Sequence, residues 1–260
     1  MTNSEILSIA MEQSAVDCNC KKEDFTGKEN MVVISQKNLG ARKYLSLPFQ
    51  CSLVSYGGNM VASVKEGLEQ PVREFMNRYP VAHCFETPNL YALNERLEKE
   101  GLKICFMAEY FLPDVQLLRP QPCRYPTRML LPEEFQDCYL PQWGNALCGA
   151  RKELDVLAVA AYDGDNMIGM AGCSADCEKM WQIGIDVLPE YRRQGIAVSL
   201  TSKLAMETLK RGKVPFYCAA WSNLPSVRNA IKSGFRPAWV EMTARDCEAI
   251  DRLNGKSGNR

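Results

Sequence analysis

The segment that most narrows the fold is Met180-Trp-Gln-Ile-Gly-Ile-Asp-Val187, followed by Leu-Pro-Glu-Tyr-Arg192-Arg-Gln-Gly195-Ile-Ala197 and a run with apolar residues at Ile196, Leu200, Leu204 and Ala205. The first stretch reads as a strand, and the last repeats at one-turn spacing as a helix does. A strand that feeds a helix through a short basic loop aims several unpaired backbone N–H groups, and the positive end of a helix dipole, at one place. Gly195 lets a ligand approach the main chain closely, and the small Ala197 keeps the first turn uncrowded. The chemistry suited to such a junction is the binding of a pyrophosphate. An Arg-x-x-Gly-x-Ala run can also do no more than shape a turn, so the flanking segments decide its meaning.

Downstream, Pro215-Phe-Tyr-Cys-Ala-Ala-Trp221 reads as a strand and leads to a helix with Asn223 as N-cap and Pro225 in its first turn. Gly234 is placed to take the left-handed position at that helix's end. Upstream, Leu157–Tyr162 and Met167–Cys173 flank the turn residues Asp163-Gly-Asp-Asn166 and predict a hairpin, which Met180–Val187 extends as a third antiparallel strand. Pro132–Tyr139 predicts a helix with acidic residues in its first turn.

The first half is less regular. Its opening residues predict a short helix or arm around Ile6, Ile9 and Ala10. Strands are predicted at Met31–Ile34, Cys51–Val54 and Asn59–Val64, with Gly57-Gly58 as a turn, then a helix over Pro71–Tyr79. A strand near Val81–Phe85, a helix over 88–99 stopped at Gly101, and a strand over Lys103–Phe111 complete it. Pro113, Pro120, Pro122 and Pro126 mark a linker. The expected domains are therefore 1–120 and 121–260. Val81–Phe111 and Val214–Ala244 share one order, strand, helix, glycine with an apolar residue, strand. Two readings stand, an internal duplication and a coincidence common among α+β chains.

The order strand, Arg-x-x-Gly-x-Ala loop, helix, strand, Asn-x-x-Ser, Gly-Phe closely resembles the GNAT superfamily of acetyl-CoA-dependent N-acetyltransferases over about residues 127–243, in the bacterial form with a degenerate N-terminal half. The resemblance implies an α+β fold. Its C-terminal half would carry a mixed, mostly antiparallel sheet flanked by helices, and its smaller N-terminal half would be a degenerate copy. It implies that Arg192, Arg193, Gln194, Gly195, Ile196, Ala197 and Val198 hold the pyrophosphate of the cosubstrate acetyl-CoA. Ile185 and Val187 would line a slot that opens between the two strands, and Asn223 and Ser226 would contact the pantetheine or the sulfur. Many members carry a tyrosine four residues before the Gly-Phe pair, where this chain has Ala230. Members that act on lysine often carry a glutamate early in the strand before the loop, and none stands here.

The implied reaction is transfer of an acetyl group to a primary amine of a small molecule or peptide by direct attack. A catalytically silent CoA-binding regulator or interaction module is the alternative, favoured by the two departures. A free amine must shed a proton to attack, so a base or water chain is expected. The candidates are Asp186, Asp176 and Glu178, with Tyr217 or Cys218 on the neighbouring strand. Trp143 and Trp181 are candidate pocket walls, with core packing as the ordinary role of such residues.

Lysine plus arginine and aspartate plus glutamate balance at 31 each, so no global field would hold the protein on nucleic acid or an anionic membrane. No apolar run nears the roughly 20 residues that span a bilayer. The opening Met1-Thr-Asn-Ser-Glu lacks a basic stretch before an apolar one, which predicts a cytoplasmic chain with reduced thiols. The twelve cysteines show no C-x-x-C spacing beside the single His83, so no metal is expected and a thiol or metal protein has little support. Cys51, Cys84, Cys105 and Cys218 read as small core residues, and His83 as a packed or edge-strand residue. The expected partners are acetyl-CoA and a small amine, with the chain a monomer or homodimer.

Overall fold

Leu157, Val159 and Ala161 alternate with Ala158 and Ala160 along one strand, and both sets are fully buried, so this strand needs cover on both faces. A computed structural model, which describes residues 1–255, shows how each face is covered. By contacts the chain gathers into two units, one of Met1–Ala10 with Tyr110–Ala238, the other of Met11–Glu109 with the chain from Trp239 on. The proline-dense stretch around residue 120 lies inside the first unit.

The first unit holds β5 (Thr127–Leu130), β6 (Asp155–Asp163), β7 (Asn166–Ser174), β8 (Met180–Val187) and β9 (Val214–Ala219). Residues 110–113 of β4 (Leu102–Pro113) also belong to it, and the strand order is β4-β9-β8-β7-β6-β5. β5 through β8 form an antiparallel meander. β9 is parallel to β8, and a parallel neighbour requires a crossover, which α4 (Ile196–Lys210) supplies. α4 buries Ile196, Leu200, Leu204 and Ala205 against Leu157, Val159, Ala161 and Ile183 on one face of the sheet, in an apolar cluster that also takes in Ala230 of α5 (Leu224–Lys232). The opposite face, with Ala158, Ala160 and Met170, is covered by Leu130, Phe135, Trp143, Ala146 and Leu147.

That second cover is a chain of tight turns at Pro132–Glu134, Gln136–Cys138 and Pro141–Trp143, not the helix expected over 132–139. Glu134 Oε2 accepts the N–H of Leu131 at 2.8 Å and Gln136 Nε2 donates to the Pro132 carbonyl at 2.8 Å, closing single turns, and Pro141 adds a fresh break. Two carboxylates fasten this turn-rich cover to the sheet. Asp155 accepts from Cys148 N–H at 2.8 Å, from the Tyr139 hydroxyl at 3.2 Å and from Ser174 Oγ at 2.5 Å. Asp186 accepts from the N–H groups of Asn145 and Ala146 at 2.8 and 2.9 Å and from Asn145 Nδ2 at 2.6 Å. The tethered backbone lies in a trough made by Gly172 and Gly184, which face each other across β7 and β8. A Cβ on Gly172 would sit 2.0 Å from the Ala146 carbonyl oxygen, and one on Gly184 would sit 1.7 Å from that of Asn145.

In the second unit the order is β1-β3-β2-β10-β4, with β1 (Met31–Ile34), β2 (Cys51–Ser55), β3 (Val61–Val64) and the part of β10 (Phe235–Asp246) from Trp239 on. β1 is parallel to β3, and β2 pairs antiparallel with β3 and β10. α2 (Glu69–Arg78) and α3 (Thr87–Glu98) cover one face through Val72, Phe75, Met76, Leu93 and Leu97. The stretch Val81–Phe85, expected as a strand, is a tight turn over Val81–His83. The turn is closed by bonds to the His83 carbonyl from Glu86 N–H at 3.1 Å and Asn89 Nδ2 at 2.8 Å. His83 is therefore exposed and bonded to Glu86 Oε1 at 2.6 Å, neither packed nor in a strand. The segments 81–111 and 214–244 accordingly correspond only from the helix on. Cys51 and Cys84 are buried as expected, whereas Cys105 and Cys218 are only half-buried, and no cysteine among the described residues is in a disulfide.

The first helix, α1 (Asn3–Cys18), is longer than the expected arm. In the second unit its Asp17 is buried with Arg42 and Glu241. Arg42 donates through Nε to Asp17 and through Nη2 to Glu241 at 2.9 Å, and Asp17 also accepts Arg42 N–H at 2.9 Å and Gln13 Nε2 at 2.9 Å. Removing the cation would strand two buried carboxylates. We expect Arg42→Ala to lower stability by about 3–5 kcal/mol, read as a fall in the urea midpoint. In the first unit, Gly184→Ala should cost about 1–3 kcal/mol by overpacking and Asp186→Ala about 1.5–3 kcal/mol by orphaning two N–H groups. Because both act on one contact, the double variant should lose less than the sum of the two shifts in the same urea measurement.

Candidate functional site

β8 and β9 are register partners only at Met180 with Val214, Trp181 with Pro215 and Gln182 with Phe216. β8 nevertheless continues to Val187 and β9 to Ala219, while β8 stays paired with β7 as far as Val187 opposite Gly169. The two strands thus part like a fork, and Ile183–Val187 of β8 faces Tyr217–Ala219 of β9 across an opening. Ile183, Ile185 and Val187 on one prong and Tyr217 and Ala219 on the other belong to the same apolar cluster as α4. A strand edge left unpaired carries free N–H and C=O groups that can pair with an extended polar chain.

The open end of the fork leads to the loop. After a single turn at Pro189–Tyr191, Arg192 is extended at φ −67°, ψ 161°, Arg193 turns left-handed at φ 63°, and Gly195 does so at φ 81° as the N-cap of α4. Left-handed residues in a turn swing N–H groups to one side and make an anion-binding hollow. Tyr191 and Arg192 N–H groups bond back to Leu188 and Pro189, and backbone pairing resumes with Ser199 N–H to the Gly195 carbonyl at 3.1 Å. Among the described residues the N–H groups from Arg193 to Val198 have no hydrogen-bond partner. Gly195 is exposed, and an added Cβ would meet nothing within 4 Å.

Side chains brace this loop. Arg192 Nε donates to the Val187 carbonyl at 3.1 Å, which ties the loop to the last residue of β8. Gln194 Oε1 accepts the Tyr125 hydroxyl at 3.0 Å, and Tyr191 donates to Asp163 Oδ2 at 3.0 Å, with the two tyrosine rings edge to face at 5.7 Å. Arg193 is exposed, and Ile196, Ala197 and Val198 open the helix. The predicted loop residues are therefore contiguous, with Ile196 buried in the core, and Ile185 and Val187 stand on the prong that leads to them.

Asn223 and Ser226 are brought together on the other side. Asn223 caps α5, its Oδ1 accepting the Ser226 N–H at 3.3 Å. Ser226 Oγ lies 2.7 Å from the hydroxyl of Tyr217, which burial pushes above its ordinary value. Cys218 points to the opposite face, where Gln182 Nε2 approaches its sulfur at 3.1 Å, just where the strands part.

The carboxylate candidates lie apart from one another. Asp186 is on the open prong, yet its oxygens hold Asn145 and Ala146. Glu178 is exposed beyond the paired end of β8, where its carbonyl accepts Lys213 Nζ at 2.9 Å. Asp176 is buried and pairs with Arg151 at 3.4 Å. Trp143 is 3% exposed in the second-face core, and Trp181 packs half-buried beneath α4. Sequence reasoning missed the Asp186 tether and the Tyr217–Ser226 pair. The glycines of the trough were visible in Ile-Gly-Met-Ala-Gly and Gln-Ile-Gly-Ile, but their facing register was not.

No helix among the described residues is long and apolar enough to cross a membrane, and no group of three His, Cys, Asp or Glu side chains among them is placed to hold a metal ion. Residues 151–238 match the family model described as GNAT acetyltransferase. A search of the curated proteins returns no match. Among solved structures, the chain is similar to a protein from Novosphingobium aromaticivorans described as an acetyltransferase of the GNAT family, at 17% identity and TM-score 0.42, covering 55% of this chain and 66% of that one, slightly under two thirds. It is similar to a GCN5-related N-acetyltransferase from Kribbella flavida at 16% identity and TM-score 0.47, covering 72% and 80%. It is also similar to the aminoglycoside N-acetyltransferase AAC(6')-Iy in complex with CoA at 17% identity and TM-score 0.36, covering 46% and 93%. Likenesses at this level say nothing of what the chain acts on. The matched residues 151–238 contain β6 through α5 and hence the whole fork and loop, so it is in this part of the chain that the similarity to the GNAT acetyltransferase family lies.

Proposed function

We propose that the chain moves an acetyl group from acetyl-CoA to a primary amine of a small molecule or peptide by direct attack, in a cytoplasmic setting that keeps its thiols reduced. The observation that carries this reading is the fork between β8 and β9 opening onto the unpartnered N–H groups of Arg193–Val198. Those groups and the α4 dipole suit the pyrophosphate. Arg192 and Arg193 add positive charge beside it. The pantetheine would then run between the prongs past Val187 and Ile185 and pair with the free strand edges. Asn223 and Ser226 would close the far side.

In this arrangement the chemistry is mostly positioning. An amine held within reach of the thioester gains from the lost translational freedom being supplied in advance. The unpaired N–H groups of β8 can polarise the carbonyl as negative charge develops on its oxygen. The amine must arrive neutral, so the rate should rise with pH until the acceptor's own amine is deprotonated. We also retain the proposal that the N-terminal half is a degenerate copy of the same fold. Two observations favour a second reading, a CoA-binding regulator. Position 230 is a fully buried alanine with no hydroxyl to offer, and Asp186 is spent on its tether. Turnover separates the two.

The test is calorimetric titration with acetyl-CoA of the wild type, Gly195→Ala and Gly195→Glu, followed by thiol release with a panel of primary amines. Both variants carry the same backbone strain, about 1–2 kcal/mol, and the space around the position is open, so both should fold. Gly195→Glu places a carboxylate among the N–H groups and should lose binding at least a hundredfold, while Gly195→Ala loses far less. Wild-type binding without thiol release from any amine would favour the regulator, and no wild-type binding would refute both readings.

A further inference from the structure

The stretch Gln121–Met129 passes along α4 into β5, and its exposure alternates. Gln121, Cys123, Tyr125, Thr127 and Met129 are half-buried, while Pro122, Arg124, Pro126 and Arg128 are exposed. The half-buried set lines a groove whose other wall is a stripe of α4 carrying Ser199, Lys203, Met206 and Lys210 at one-turn steps. Its volume of about 430 Å³ lies within the range of small-molecule sites. Side chains set the gap. Ser199 Oγ donates to the Gln121 carbonyl at 2.9 Å and Ser202 Oγ to that of Arg119 at 2.5 Å. At the other end Lys203 Nζ donates to Thr127 Oγ1 at 2.8 Å and to the Thr127 carbonyl at 3.4 Å.

An ammonium group has three hydrogens, and a half-buried one without an anion carries an uncompensated loss of hydration. Both oxygens that hold Lys203 are neutral, and among the described residues it forms no ion pair. The acid in the groove, Glu207, is held by Arg211 at 3.3 Å and Lys210 at 3.7 Å. The two stretches that make the walls, 119–128 and 196–211, contain six basic residues against that single acid, in a chain whose charges balance overall. Of the six, Arg128 turns outward to Glu134 at 3.1 Å. The rest of the lining is apolar or sulfur-bearing. Cys123, Met129 and Met206 join the Tyr125 ring there, and thioethers adapt their shape to what they meet.

We propose that this groove is a second ligand site, separate from the fork, which takes a small organic anion with an apolar body, an aliphatic carboxylate being the simplest. The carboxylate accepts the remaining Lys203 hydrogen, and the aliphatic chain lies along Met129 and Met206. The groove shares no lining residue with the fork or the anion loop, and its one link to them is the bond from Tyr125 to Gln194. The inference therefore stands independently of the donor reading above.

The probe is octanoate, titrated into the full-length chain labelled at its methionine methyl groups, with Met129 and Met206 assigned through their leucine variants. Both signals should shift and saturate together, while Met170, buried on the opposite face of the sheet, stays still. Neutral octanamide should bind at least tenfold more weakly, because it lacks the charge-assisted bond, and butyrate at least tenfold more weakly for its shorter chain. Lys203→Met keeps the apolar stem and should weaken octanoate at least tenfold with an unchanged far-ultraviolet spectrum. Met206→Glu places a carboxylate in the groove, leaves the Lys203 bonds to Thr127 intact, and should do the same. Signals that do not move, octanamide equal to octanoate, or either variant folded with wild-type affinity would each overturn the inference. So would competitive displacement of octanoate by acetyl-CoA, because the groove would then belong to the donor. Octanoate and acetyl-CoA bound together would support two separate sites.

Discussion

The structure of the first unit turns on the point where β8 stops pairing with β9. Parallel strands normally continue side by side, and abandoning the ladder leaves polar edges that must find water or a ligand. The rest of the unit keeps that opening from closing. β8 stays paired to β7 along its other edge, so it cannot swing across. α4 must leave the end of β8 and return to start β9, and its buried stripe fixes the helix against β6, β7 and β8. The loop N–H groups are unpartnered because this crossover begins with left-handed residues instead of a side-chain cap. Opening and anion hollow are thus two results of one departure from regular pairing.

Much of this was legible in the sequence because it is local. The loop, Gly195, the Asn223 cap and the apolar stripe of α4 each depend on residues within a turn or two, and periodicity reports such relations directly. Val81–Phe85 and Pro132–Tyr139 misled for a common reason. Each holds apolar or helix-starting residues in a run of five to eight, and bonds made by the Glu86 N–H and by the side chains of Asn89, Glu134 and Gln136 settled the backbone as turns. Asp186 could be picked out as a carboxylate near the site, but not as the holder of a segment some forty residues earlier. Pairings across that separation leave no mark on spacing.

The second unit shows what a short apolar sheet needs when its polar residues are placed inside. β2 and β3 are buried along their whole length. Asp17, Arg42 and Glu241 come from separate parts of the chain and satisfy one another, with Trp239 Nε1 donating to Glu241 at 2.8 Å and its ring stacked on Tyr56 at 5.5 Å. Such a cluster does less for net stability than an apolar filling of the same volume, but it accepts only one arrangement of its members.

The trough of Gly172 and Gly184 has a consequence for how the protein can diverge. The contact over β7 and β8 there is made largely by the carbonyls and amides of residues 145 and 146, with Asn145 Nδ2 adding a bond to Asp186 and Ala146 packing in the second-face core. Side-chain exchange alone leaves the backbone part of that contact in place. Reshaping it takes a change in the length of the turn-rich stretch before β6, or a concerted change of both glycines and the carboxylate that ties the segment down. Relatives that differ on this face should therefore differ by insertions and deletions more than by point substitutions.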